Sequence, residues 1–336
     1  MVLVYKTWVI VVLLLLSFFV KRKEQQQYTL HGYAQGTDYS IKYYAESPLV
    51  SVAEVDSILL KIDSSMSLYK PYSLISKFNN ATKALSIDAH FLCVINKSFE
   101  VYKATDGRFD ITVAPLVQAW GFGPKPITVF PDSARIKELL KNVGMNLLEV
   151  KGNELFKKQP GVRIDLNGIA QGYSVDVVAD YLLHKGITCF VVEIGGEIRM
   201  KGPKPDGTAL RVGIEGPALN ELSEPQIRHV ISFKEGAVTT SGNYRKYLQA
   251  GGKKISHLIN PKTGYPLDNQ LISVTIFAKD ALTADGYDNA VMAMSVEQAL
   301  EFVSAKKNME AYLIYHRKDG SVTDTLTAGF KKMIVN

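Results

Sequence analysis

The stretch that most constrains this chain runs from Arg163 to Asp176 and reads Arg-Ile-Asp-Leu-Asn-Gly-Ile-Ala-Gln-Gly-Tyr-Ser-Val-Asp. The apolar run Val162 to Leu166, with Asp165 near its end, reads as a short strand entering a turn at Asn167 and Gly168. A helix follows, with apolar positions at Ile169, Val175, Val178, Ala179 and Leu182. Gly168 and Gly172 crowd this corner. Backbone N–H and C=O groups can therefore approach a ligand, and the first N–H groups of the helix lack intrahelical partners. Glycine turns before helices also serve packing alone, so the stretch by itself fits an ordinary strand-to-helix corner as well.

The rest of the chain can bury such a corner. Hydrophobic residues make up 46% of the 336, enough for a substantial core, and nothing in the composition points to disorder. The net charge of +6 comes partly from Lys21-Arg22-Lys23, and the other basic residues are scattered rather than striped. No nucleic-acid interface is expected from that pattern. Cys93 and Cys189 each sit in an apolar run, as buried thiols do. They leave one disulfide open and exclude a zinc site of the Cys-x-x-Cys type.

Met1 to Val20 is apolar apart from Lys6, Thr7, Ser17 and the ring edges of Tyr5 and Trp8. A spanning helix needs about 20 such residues and a signal-peptide core about 7–15. No small-x-small pattern ends the segment and no Cys follows it, so an uncleaved membrane anchor over 1–23 is the expectation. Glu24 to Gln27 reads as a polar linker, and a single domain is expected over 28–336. The basic triplet after the apolar segment would hold that side in the cytoplasm by the positive-inside rule, with Lys6 as the one opposing charge.

Tyr28 to Tyr33 and Asp38 to Tyr44 read as strands joined through Gly36 and Thr37. Val52 to Ile62 has helical spacing behind a Ser51 N-cap, and His90 to Ala104 and Pro131 to Val143 read as further helices. The glycine-rich piece Trp120 to Pro124 is not expected to be regular. Strands follow at Phe190 to Ile194, Arg211 to Ile214, Val230 to Phe233, Ala237 to Thr240 and Ile272 to Phe277. Helices at Ala281 to Met294 and Val296 to Ser304 precede a hairpin of Met309 to Tyr315 and Ser321 to Leu326, turned at Asp319-Gly320. Strands and helices do not alternate strictly, so the class is α+β.

Three groups of residues carry chemistry. On the helix Ala281 to Met294, Asp285, Asp288 and Asn289 stand at i, i+3 and i+4 and share one face. Their neighbours are small or apolar, so this face is read as buried, and buried carboxylates need a cation between them. Oxygen ligands without Cys or His favour Mg²⁺ or Ca²⁺, whereas a solvated acidic face would need no metal. Thr239-Thr240-Ser241-Gly242-Asn243-Tyr244-Arg245 reads as a short loop of hydroxyls suited to phosphate, or as a plain strand-ending turn. His257, before the turn Asn260-Pro261-Lys262-Thr263-Gly264, is a general-base candidate, since histidine is the residue type whose unperturbed pKa lies near neutrality. Walker, Gly-x-Gly-x-x-Gly and Gly-x-Ser-x-Gly motifs are absent from the sequence, so neither a Rossmann dinucleotide site nor an elbow-type serine hydrolase has support.

In order along the chain stand Gly36-Thr37, Ser67-Leu68-Tyr69 with Ser73 to Asn79, Phe109-Asp110 with Trp120-Gly121, and Asp165 to Asp176. Gly195-Gly196, Thr240 to Tyr244, His257 to Gly264 and Ala284-Asp285 follow. Together they resemble the ApbE family of FAD:protein FMN transferases, over about Tyr28 to Phe330. The resemblance implies an ApbE-like, T-fold-related mixed sheet with flanking helices after an N-terminal hydrophobic helix. It implies FAD as substrate and Mg²⁺ as cofactor. The reaction it implies is transfer of FMN through a phosphoester to a threonine or serine of a target flavoprotein, with release of AMP. It further implies an acceptor that is a subunit of a redox-driven ion pump or a related flavoprotein, and a catalytic domain on the periplasmic side of the inner membrane.

Residue by residue, the resemblance makes Asp285 and Asp288 metal ligands, with Asn289 where many relatives have threonine and the Gly168 carbonyl completing the set. Gln35, Tyr69, Arg108, Phe109, Asp110, Asp165, Gln171 and Ile259 fall on FAD-contacting positions, and Gln35 and Gln171 depart from the residues common there. His257 is the histidine of a His-x-Ile-Asp-Pro-x-Thr-Gly motif in which Asn260 replaces aspartate. His257 and Asp285 are the candidates for catalysis. Two other functions use the same motifs: an FAD pyrophosphatase with water as acceptor, and a membrane-anchored FAD-binding protein without turnover. Two convergent carboxylates speak against the binder, which has no need of them.

Overall fold

Two Tyr- and Ile-rich runs with a left-handed turn between them open the fold. The structure, a computed structural model, describes residues 24–216, 226–243, 247–250 and 253–335. The expected anchor over 1–23 lies outside these residues. Among the described residues no helix is long and apolar enough to cross a membrane. Strand β1 (Gln26–Ala34) pairs with β2 (Thr37–Ala45) in an unbroken antiparallel register around Gln35 and Gly36, both at positive φ. It begins at Gln26, inside the segment read as linker, because Gln26 pairs with Ala45 and Gln27 with Tyr44.

Helix α1 (Val52–Met66) starts on a capping box in which Ser51 and Glu54 each take the other's backbone N–H. Then come α2 (Leu74–Asn80), β3 (Ala84–Ser86), α3 (Ala89–Ala104), the short α4 (Ala114–Ala119) with Pro115 in its first turn, and α5 (Ser133–Leu140). Strands β4 (Leu148–Lys151) and β5 (Glu154–Lys157) join β3 in a small sheet, and α6 (Ala170–His184) follows. The remaining strands are β6 (Phe190–Ile194), β7 (Glu197–Lys201), β8 (Val212–Glu215), β9 (Ile227–Ile231), β10 (Glu235–Gly242), β11 (Tyr247–Ala250), β12 (Lys253–Ser256) and β13 (Leu271–Ala278). Helices α7 (Ala281–Met292) and α8 (Val296–Ser304), strands β14 (Glu310–His316) and β15 (Val322–Leu326), and α9 (Ala328–Met333) complete the fold.

The main sheet has the order β1-β2-β6-β7-β10-β13-β14-β15. The α+β class holds, but every ladder in this sheet is antiparallel rather than mixed. Consecutive strands close as hairpins at β1–β2, β6–β7 and β14–β15, and hairpins are antiparallel by construction. Alternation sorts the two faces. Tyr39, Ile41 and Tyr43 of β2 enter the large core with Val55 and Leu59 of α1, Phe91 and Val94 of α3, Val175 and Val178 of α6, and Ala284 and Val291 of α7. Tyr44 packs on the opposite face, against a second cluster that includes Met200, Val212, Ile231 and Phe330. Strand β13 is covered on both faces, and its side chains are buried almost throughout.

Both cysteines are free. Cys189 is buried as expected; Cys93 is exposed, because it falls on the solvent side of α3 while Phe91, Val94 and Ile95 take the core side.

Candidate active site

The segment Val162 to Leu166 is extended but belongs to no sheet, which corrects the expected strand. Its backbone is satisfied from the side instead. The Asn79 side chain takes the Ile164 N–H at 2.8 Å and donates to its carbonyl at 2.9 Å, and the Asp165 N–H donates to the Ile111 carbonyl at 2.7 Å. Asp165 then turns the chain by accepting the Asn167 N–H at 2.8 Å, and burial pushes its carboxyl up to about 6.

Helix α6 gets no side-chain cap from its N-cap residue Ile169, which is apolar, so the Gly172 N–H in its first turn needs an acceptor from elsewhere. Asp285 of α7 supplies it: its Oδ2 accepts the Gly172 N–H at 2.7 Å. One turn further along, Asp176 of α6 accepts the N–H groups of Ala281 and Leu282, at 3.0 and 2.8 Å, at the start of α7. The two helices cap each other. Arg199 on β7 braces the arrangement through Asp176 at 3.0 Å and Asp180 at 2.9 Å. Gly172 must lack a side chain here, since a Cβ would lie 2.3 Å from the Ala281 carbonyl oxygen and 2.7 Å from the Asp285 Cβ.

The α7 carboxylates are buried and their proton affinity is raised. Burial brings Asp285 up to about 7, against the Gly172 N–H, which favours the charged form. Asp288 is raised well above the ordinary carboxylate range by burial and then by the charge of Asp285, with a further contribution from Glu197. Its Oδ2 accepts from Thr239 Oγ1 at 2.7 Å. Thr239 to Gly242 belong to β10 and not to a loop, and the Thr239 hydroxyl on the main sheet supports Asp288. Tyr244 and Arg245 of that motif lie outside the described residues.

Asn289 Nδ2 sits among three oxygens: Asp288 Oδ1 at 2.9 Å, the Gly168 carbonyl at 3.2 Å and the Asp285 carbonyl at 3.3 Å. Its Oδ1 accepts from Ser241 Oγ at 3.2 Å. Which end of the amide faces the oxygens is an assignment, and rotation by half a turn would add a fourth oxygen to the set. Hard oxygen donors in a buried acidic pocket suit Mg²⁺, so the residues present fit such an ion. Among the described residues there is no cluster of three His, Cys, Asp or Glu side chains suited to a metal, and carbonyl and amide oxygens would have to complete the coordination.

This pocket belongs to a cavity of about 1750 Å³. The residues assigned from the sequence to catalysis, FAD and metal line it: Gln35, Tyr69, Arg108, Phe109, Asp110, Asp165, Gly168, Gln171, His257, Ile259, Asp285, Asp288 and Asn289. Tyr69 is 65% exposed at the mouth, whereas Phe109 is buried. Some of the side chains have local duties. Asp110 accepts the N–H and hydroxyl of Thr112 and so caps the 3₁₀ turn 111–113; Gln171 donates to the Ile194 carbonyl at 2.8 Å; Arg108 donates to the Thr105 carbonyl at 3.2 Å. His257 follows β12, with its ring edge-on to Phe122 at 6.1 Å. The turn beyond it is anchored by Trp120, whose Nε1–H donates to the Gly264 carbonyl at 2.8 Å.

Three contributors were not picked out from the sequence. Glu197, just after the Gly195-Gly196 turn, adds its charge to Asp288. Thr239 was seen only as one hydroxyl of a polar run. Asp176 ends the opening motif but carries no pattern that ties it to a helix start more than a hundred residues away.

The chain matches the model of the ApbE family over residues 35–313. An FAD:protein FMN transferase from Vibrio cholerae serotype O1 is 35% identical over 315 residues, which covers 92% of this chain and 93% of the relative. The Escherichia coli (strain K12) protein of the same description is 32% identical over 283 residues, covering 82% and 79%. Among solved structures, the flavin transferase ApbE from Vibrio cholerae superposes with a TM-score of 0.82 at 35% identity, covering 92% of this chain and 99% of that one. Pseudomonas stutzeri flavinyl transferase ApbE gives 0.81 at 28% identity, covering 94% and 98%.

Proposed function

This chain belongs to the ApbE family, and from that premise we propose that its cavity works as a Mg²⁺-dependent site where FAD is cleaved and AMP released. The chain is an enzyme that transfers FMN from FAD to a target protein. The observation that carries the finer reading is the oxygen-lined end of the cavity, where Asp288 Oδ1 and the Gly168 carbonyl face one point and Asp285 lies beside them.

FAD lies along the cavity, with its pyrophosphate at the acidic end. Asp285, Asp288, the Gly168 carbonyl and the Asn289 amide would hold Mg²⁺, which would supply positive charge to the phosphate oxygens. Gln35, Tyr69, Arg108, Phe109, Asp110, Asp165, Gln171 and Ile259 hold the rest of the molecule. The acceptor hydroxyl attacks the FMN phosphorus; a new P–O bond forms to the threonine or serine, and the bond from phosphorus to the AMP oxygen breaks. The hydroxyl proton passes to His257 or Asp285, the two groups assigned to catalysis. The nucleophile comes from the partner, so this chain supplies charge, position and a base. Ligand cavities usually measure about 300–1,000 Å³, and a volume near 1750 Å³ leaves room for an acceptor segment beside FAD.

The acceptor is a flavoprotein, read here as a subunit of a redox-driven ion pump or a relative of one. The apolar segment before β1 anchors the chain in the inner membrane, and the domain is placed on the periplasmic side on the strength of the family resemblance, against the positive-inside reading of Lys21-Arg22-Lys23. Asp285→Ala tests the metal reading: AMP release should vanish while FAD still quenches protein fluorescence on binding. Unchanged AMP release by this variant at every Mg²⁺ concentration contradicts it.

A further inference from the structure

On the sheet face that carries the second apolar cluster lies another cavity, of about 350 Å³. It shares no lining residue with the cavity that holds the carboxylates. Lys42 reaches it from β2, and Lys204 and Arg211 from the segment between β7 and β8, together with Gln27, Tyr44 and Thr208. No Asp or Glu lines it. Elsewhere the basic side chains of this sheet are neutralised: Lys201 pairs with Glu235, and Arg199 with Asp176 and Asp180. Among the described residues, Lys42, Lys204 and Arg211 form no ion pair and no side-chain hydrogen bond. Asp206, the acid of the same loop, accepts the N–H and hydroxyl of Thr208, at 2.8 and 2.7 Å; its charge also reaches Lys204 and Tyr44, but short of an ion pair, so it offsets only part of the positive charge. Three cations around one concavity repel one another, and a bound anion relieves that repulsion. The Tyr44 hydroxyl already donates to Gln27 Oε1 at 2.8 Å and the Thr208 hydroxyl to Asp206 at 2.7 Å, so the three cations are what this cavity offers an anion.

The place of the cavity in the chain says where such an anion comes from. Gln27 lines it, only seven residues after Val20, the last residue of the apolar segment, and four after Lys23. An extended chain spans at most about 3.6 Å per residue. The cavity therefore lies within roughly 25 Å of the end of the apolar segment, whatever path the residues between them take. With that segment in a bilayer, the cavity stays in reach of the headgroup layer, and Lys21-Arg22-Lys23 stands in between. We propose that Lys42, Lys204 and Arg211 form a binding site for a phosphate ester anion, supplied by the headgroup of an anionic phospholipid, which fixes how the domain sits on its membrane.

The test uses the full chain in uncharged detergent and calorimetric titration with three probes: dihexanoyl phosphatidylglycerol, dihexanoyl phosphatidylcholine and inorganic phosphate. Each is titrated into the wild type and into the triple variant Lys42→Gln, Lys204→Gln, Arg211→Gln. Phosphatidylglycerol should bind the wild type and weaken about five-fold per cation removed, on the order of 100-fold for all three. Phosphatidylcholine should not distinguish the two proteins. Inorganic phosphate binding as tightly as phosphatidylglycerol, with the same loss in the variant, keeps the anion site but overturns the lipid as its source. Phosphatidylglycerol and phosphate binding that is equal in both proteins overturns the site. The three side chains lie away from the catalytic cavity, so FMN transfer by the triple variant should stay at the wild-type rate. If the triple variant does not fold, the three single variants decide the matter: a five-fold loss in each supports the site, and no loss in any overturns it.

Discussion

Replacing Gly172 with alanine should damage the active site without substituting any residue assigned to the metal. The added Cβ would stand 2.3 Å from the Ala281 carbonyl oxygen and 2.7 Å from both the Ala281 carbonyl carbon and the Asp285 Cβ. Two of these three atoms are backbone, so no side chain can rotate away, and α6 and α7 must separate. Overpacking of this kind costs about 1–3 kcal/mol, and alanine returns up to about 1 kcal/mol through helix propensity. A modest net loss of stability follows, visible as a fall of a few degrees in the melting temperature. The larger effect is on the site. Separation stretches the 2.7 Å bond from the Gly172 N–H to Asp285, and a hydrogen bond to a charged group is worth about 1.5–3 kcal/mol. Since about 1.4 kcal/mol is a factor of ten, half-maximal AMP release should need at least roughly ten-fold more Mg²⁺. The assay is AMP release against Mg²⁺ concentration, run beside a thermal melt. A variant with wild-type Mg²⁺ dependence and wild-type melting would refute the reasoning, because the helices would then have absorbed the methyl group without moving Asp285.

Other substitutions probe the supports one at a time. Asp176→Asn leaves a single acceptor oxygen for two α7 N–H groups and should cost about 0.5–2 kcal/mol, the usual range for a lost helix cap, measured by urea denaturation. Trp120→Phe removes the bond to the Gly264 carbonyl and should cost about 1 kcal/mol, again by denaturation; no change would mean that this bond does not hold the His257 to Gly264 turn. Lys157, buried against Phe78 and donating to the Val162 carbonyl, is brought down to about 8 by burial, with the Arg163 charge adding to the effect. Its folded value lies below its unfolded one, so between about pH 8 and 10.5 the unfolded chain binds more protons and stability rises with pH. Lys157→Met should flatten that rise in denaturant midpoints taken across this range.

Local signals carried much of the fold. The Ser51 cap, the Asp319-Gly320 hairpin turn and the helical spacing of Val296 to Ser304 all lie within a few residues of the elements they define, and all three elements form. The misreadings concern partners distant in sequence. Val162 to Leu166 has the composition of a strand, but the Asn79 side chain, 85 residues before Ile164, occupies the groups a ladder would use. Thr239 to Gly242 looked like a loop because hydroxyls and glycine favour turns; pairing with β13 over Ala237 to Gly242 outweighs that preference. The small sheet of β3, β4 and β5 was missed since each strand is only three or four residues long. At the site, the burial of Asp285 and Asp288 on one helix beside Asn289 agrees with their helical spacing in an apolar context. Asp176 and Glu197 were not legible in the sequence, since their roles arise only when α6 and β7 are brought against α7 and β10.

The most direct measurement is mass spectrometry of an acceptor flavoprotein with an exposed threonine, incubated with this chain, FAD and Mg²⁺ while chromatography follows AMP. The account predicts an acceptor heavier by FMN less one water and one AMP released per FMN attached, with both lost in Asp285→Ala. AMP and free FMN appearing together with an unmodified acceptor would make water the acceptor, and the absence of AMP at any Mg²⁺ concentration would contradict the catalytic account altogether.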